Sequence, residues 1–192
     1  MTKITSCKDF IMLLLYAKGH KGGKCEPIRG KTRLMKMIFI FDEEIRRKFN
    51  TEKAIIEDIP KFEPNKYGPF SSRVFSDLEF LVELGFVKVY PVSNSEISNE
   101  EAYEYDYWQA RTGPSDDFEG TNNEEEFSLT EVGQSFVEEG EAGILTDKQK
   151  KILNEFKARC TGTSLRNLLE YVYNKYPEMT TKSKIRNEIM SR

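Results

Sequence analysis

A mainly α-helical fold with one small antiparallel β wing is the class this sequence predicts, and three observations predict it. Apolar residues recur at spacings of three and four along most of the 192 residues, the period of a helix face. Two short segments, FVKVY at 86–90 and EFSL at 126–129, instead read as strands. Their order is helix, strand, long excursion, strand, helix, which is that of a winged-helix domain with the two strands paired as its wing. The expected organisation is a winged-helix-like domain over residues 1–145 with an acidic insert in its wing at 92–126. A C-terminal helical extension over 146–192 packs on it.

Taken in order, the first helix is announced by Ser6 with Asp9 three residues on, a capping-box pattern, and runs through DFIMLLLYAK to a stop at Gly19. In PIRGKTRLMKMIFIFDEEIRRKF, Leu34, Ile38, Phe41 and Ile45 make one helical face. Met35, Met37, Phe39 and Ile40 widen it until the helix must be buried on more than one side. Pro64, Gly68 and Pro69 prevent a helix before Ser71, and Ser71 or Ser72 is placed to cap the next one. Val74, Leu78, Leu81 and Val82 then keep helical spacing up to Gly85. After the insert, Thr130 caps a helix through Val137. Thr146 with Gln149 caps another through Phe156, broken at 160–162. SLRNLLEYVYNKYP gives a further helix, closed by Pro177, with Leu165, Leu168, Leu169, Val172 and Tyr176 as its buried face, and TTKSKIRNEI the last.

Composition narrows the function classes. No apolar run is long enough to cross a bilayer, and no signal peptide is recognisable, so a cytoplasmic protein without membrane association is expected. Three cysteines at long spacings and a single histidine, His20, leave no metal-ligand pattern and few routes to acid–base catalysis near neutral pH. His20 and Cys25 lie close in GHKGGKCEP, but nothing in the sequence orients them as a catalytic pair. The net charge of −3 is uneven: residues 92–126 carry 11 acidic residues and one basic, Arg111. The rest of the chain is basic.

The GKT of the stretch at 27–49 invites a nucleotide-binding reading. That motif requires a glycine five residues before Gly30, where this chain has Cys25, and Glu26 would face the phosphates. Lys31 and Thr32 are therefore expected to begin a core helix. No cofactor, metal or catalytic residue is assigned.

GKTRLMKMIF, KYGPFSSRVFSDLEFLVELGFV, FSLTEVGQSF and LLEYVYNKYPEMTTKSKI together resemble the YwgA-like family of bacteria and archaea. More distantly they are similar to the Panacea domain of SocA-type antitoxins. The most specific piece is YGPFS at 67–71 with the helix after it. This resemblance implies a mostly helical, winged-helix-like domain without enzymatic activity and, through the antitoxin relatives, a protein partner.

Two functions are compatible with these features. An interaction or regulatory module, antitoxin- or adaptor-like, would bind a protein through the aromatic residues set among the acids of the insert, Tyr103, Tyr105, Tyr107 and Trp108. A DNA-binding regulator would lay the helix before the wing in the major groove, with Arg73, Ser76, Asp77, Phe80 and Glu83 facing outward, of which one is basic. Arg29, Lys31, Arg33 and Lys36 would offer a second basic surface for phosphates. The acidic insert favours the protein partner.

Overall fold

The computed structural model describes residues 6–50, 54–92 and 125–191. Helix α1 (Cys7–Tyr16) starts as expected: the Ser6 hydroxyl accepts from the Asp9 amide and the Asp9 carboxylate accepts from the Ser6 amide. It ends at Tyr16, before Gly19, because the Ala17 backbone is already extended. Strand β1 (Ile28–Arg29) leads into α2 (Lys31–Ile40), one π turn (Phe41–Ile45) and α3 (Arg46–Phe49). All side chains from Arg33 to Phe41 are buried, so α2 is enclosed on every side. The expectation of burial beyond one face holds. The reason is visible at Phe41, which stacks on Phe10 with ring centroids 4.0 Å apart and meets Phe49 and Phe156 edge-on.

The stretch before Ser71 is more ordered than its prolines suggested. Strands β2 (Glu63–Asn65) and β3 (Gly68–Phe70) form a hairpin that pairs Pro64 with Pro69. Prolines lack a ladder donor, and they are tolerated in this two-stranded ribbon because it has no central strand. Gly68 has φ of +84°, and a Cβ there would lie 2.8 Å from the Tyr173 ring, so both backbone and packing call for glycine. Helix α4 (Ser72–Glu83) comes next. Ser71 occupies its N-cap position, but its buried side chain makes no capping bond.

The wing is formed by β4 (Val87–Pro91) and β5 (Glu125–Leu129), antiparallel, with Val87 opposite Leu129 and Val89 opposite Phe127. The predicted pairing is present. A feature not foreseen is that β1 joins the other edge of β5, placing Ile28 opposite Phe127 and Arg29 opposite Glu126. Beyond the wing come α5 (Glu131–Phe136), a second π turn (Val137–Glu141) and α6 (Ala142–Ile144).

Helix α7 (Asp147–Thr161) begins with the predicted Thr146–Gln149 capping box and continues past Phe156 to Thr161. Gln149 does more than cap, since its buried amide donates to the carbonyls of Phe49 and Ala54 at 2.7 and 3.0 Å. Helix α8 (Leu165–Lys175) buries Leu168, Leu169, Val172 and also Tyr173, whereas Leu165 and Tyr176 are half-buried. A short 3-10 turn (Pro177–Thr180) and α9 (Arg186–Met190) complete the fold. One apolar cluster runs from Cys7 to Ile189. The helices after residue 145 are thus part of the core that the wing domain needs.

Candidate interaction surface

The surface is assembled where α4 ends and α5 begins. Gly85 stops α4, and the Phe86 amide returns to the Leu81 carbonyl. Thr130 then ties the two helices together: its hydroxyl donates to the Gly85 carbonyl at 2.6 Å and accepts from the Gly133 amide at 3.1 Å. That acceptance caps α5. Gly133 is packed so closely that a Cβ would overlap the Phe86 carbonyl oxygen, and only glycine allows such an approach. The Phe86 and Phe136 rings stack with centroids 4.9 Å apart.

This close seam leaves large apolar side chains in water. Leu84 is 51 % exposed, Val132 62 % and Phe136 48 %. One turn before Leu84, Phe80 is 44 % exposed, and on the adjoining strand Tyr90 is 45 % exposed. Glu79 and Glu83 on α4, and Glu131, Glu138 and Glu139 on α5 and the turn after it, are exposed as well. Glu138 accepts from the Tyr16 hydroxyl at 2.9 Å and lies 3.7 Å from the Lys24 amine. The other four have no ion-pair partner among the described residues. Exposed apolar side chains thus stand beside exposed carboxylates on the same helices, with Lys8 over Phe80 and Lys88 over Tyr90.

The residues expected to bind phosphates do not form a common basic face. Lys36 is fully buried, with its amine donating to the Pro69 carbonyl at 2.8 Å. Arg33 is buried and donates to the carbonyls of Cys160 and Thr163 at 2.7 and 2.6 Å. Arg29 pairs with Glu126 at 3.1 Å and Lys31 with Glu125 at 3.0 Å, both a consequence of β1 joining β5. Arg73 forks onto Asp58, with one arm at 2.7 Å, and that bond holds the Asp58 carboxyl below its usual range. Of the other residues expected to face outward from α4, Asp77 is buried and pairs with Lys8 at 2.8 Å. Ser76, Phe80 and Glu83 are exposed as expected. Tyr103, Tyr105, Tyr107 and Trp108 lie outside the described residues.

The remaining chemistry-bearing groups are engaged in structure. His20 faces Glu26 at 3.3 Å, and burial pushes the Cys25 thiol up, away from the nucleophilic thiolate. Lys31 starts α2 as expected, and Cys25 stands in the left-handed region at φ of 56°. Lys157 is a second buried amine; it donates to the carbonyls of Leu15 and Ala17, closing the last turn of α1, and burial lowers it to about 7. On the first π turn, burial alone would raise the Glu44 carboxyl, yet hydrogen bonds from Tyr171, Lys175 and Tyr176 hold it below the usual range. No group of three metal-ligating side chains occurs among the described residues, and none of their helices is long and apolar enough to cross a membrane.

The apolar surface was not singled out from the sequence. Its signal is present, however: Val132 and Phe136 stand one turn apart on the polar side of a short helix, with Gly133 between them. Comparison with family models, with curated proteins and with solved structures finds no match to this chain.

Proposed function

We propose that the chain is a non-enzymatic interaction module, antitoxin- or adaptor-like, that binds a protein partner through the surface of Leu84, Val132 and Phe136. The observation that carries this reading is the exposure of these three side chains around a seam whose polar groups are satisfied. Large apolar side chains gathered in water mark a surface that is covered when the protein works, and an aromatic anchor inside a charged margin is the usual composition of a binding hot spot. Winged-helix DNA binding is less favoured. Helix α4 carries three carboxylates (Asp77, Glu79, Glu83) against one cation, Arg73, and that cation is held by Asp58. In the wing, Glu126 and Glu125 hold Arg29 and Lys31, so those cations are engaged as well.

A photo-crosslinking amino acid placed at position 136, with another at exposed Lys151 as control, tests the reading in the native cell after nuclease treatment. A discrete protein adduct from position 136 and none from position 151 is expected. Absence of an adduct at 136, together with duplex DNA binding that weakens steeply with salt, would make the regulator the better description.

A further inference from the structure

Resting on that reading, we infer that the surface takes an amphipathic helix of a different protein, one whose apolar stripe is flanked by lysines and arginines. The pattern of the two helices points to it. On α4, Phe80 and Leu84 stand one turn apart, and so do Glu79 and Glu83 beside them. On α5, Val132 and Phe136 repeat that spacing, with Glu131 alongside and Glu138 and Glu139 on the next turn. Each helix thus offers an apolar pair with carboxylates at its side. Two cations stand among them: Lys8 bonds to Asp77 and lies over the Phe80 ring at 5.1 Å, and Lys88 lies over the Tyr90 ring at 5.1 Å, against five exposed carboxylates. A partner meeting this surface gains from apolar burial at the centre and from positive charge at the edges.

The same charge decides among occupants. A second copy of this chain would set acid against acid across a twofold axis. The insert is a poor occupant for the same reason, since residues 92–126 hold 11 acidic side chains and one arginine. An added β-strand is disfavoured as well, because β4, an edge strand among the described residues, carries Pro91 and Lys88, two features that discourage edge pairing. A helix can meet the ends of two helices without needing backbone partners, recognised by apolar anchors at helical spacing.

The probe is a synthetic helical peptide with leucines at helical spacing and lysines flanking them, titrated against the full chain and followed by fluorescence anisotropy. Two controls accompany it: the same peptide with glutamate for lysine, and a scrambled peptide of the first composition. The basic amphipathic peptide is expected to bind with a Kd on the order of 10 µM, and both controls much more weakly. Val132→Ser and Phe136→Ser should each weaken binding at least about tenfold, as loss of an anchor does; Val132 is the more exposed, so its variant keeps the fold. Glu83→Lys and Glu139→Lys should weaken binding and flatten its salt dependence. Equal binding of the scrambled peptide, or binding indifferent to both serine substitutions, would overturn the inference as unspecific charge attraction. A concentration-dependent dimer that Val132→Ser abolishes would overturn it in favour of a second copy. An adduct from position 136 whose crosslinked segment is acidic or extended sinks this inference and leaves the interaction module standing; no adduct at all sinks both.

Discussion

At Lys36 a primary amine sits inside the apolar core with the Pro69 carbonyl as its acceptor. Burial lowers its pKa from 10.5 to about 7, because no counter-ion among the described residues offsets the lost hydration of the charged form. The folded amine therefore releases its proton before the unfolded one. Between about pH 7 and 10.5 the unfolded chain binds more protons, so stability rises with pH through that window, while below it both states are charged and the penalty is complete. Lys36→Met should consequently gain least over the native protein at high pH, the difference in unfolding free energy shifting by roughly 4 kcal/mol between neutral and alkaline solution. Urea unfolding of both proteins at pH 7, 8.5 and 10 measures it, and parallel profiles would refute it. Gly133 is the steric counterpart. A methyl group there must displace the Phe86 carbonyl, and Gly133→Ala should lower stability by about 1–3 kcal/mol in the same assay.

Secondary-structure elements here are joined by single side chains as much as by broad faces. Thr130 caps α5 and holds the end of α4. Thr130→Ala should cost about 1–2 kcal/mol, Thr130→Ser should recover most of it, and thermal denaturation ranks the three. Gln149 joins α7 to two carbonyls at the end of α3 and in the chain before β2; replacing it with leucine strands both and should cost about 2–3 kcal/mol. Legibility in the sequence at this scale depends on the range of the interaction. The caps at Ser6, Thr130 and Thr146 are settled within three residues, so their pattern is readable directly. Strands β1, β2 and β3 are two or three residues long, and β1 exists only because β5, distant in sequence, lies beside it. The burial of Asp77 depends likewise on Lys8 of another helix.

At the scale of the whole molecule, the described residues share one core. Phe156, Leu168, Val172 and Ile189 belong to the same cluster as Phe10 and Phe41, so a chain ending at residue 145 should fail to fold. Far-UV and near-UV circular dichroism of the intact chain should show one coincident transition, and the truncated chain none. Helical periodicity made that core visible in sequence, yet it did not place the cations: Arg33, Lys36 and Lys157 look like surface charge in composition and are interior in fact. For this reason two of the cations expected to face nucleic acid, Arg33 and Lys36, are interior, and the apolar surface is hard to read because its residues fit a core pattern equally well.

The last described rung of the wing, Pro91 opposite Glu125, has a consequence for engineering. The ladder holds these two chain positions as neighbours, so a longer segment joining them costs little more in the entropy of closure. That term grows with the logarithm of length, about 0.6 kcal/mol for each doubling. The wing tip is therefore a splice point. A reporter domain whose own termini lie side by side can be grafted at this rung and read out binding at the other end of the strands.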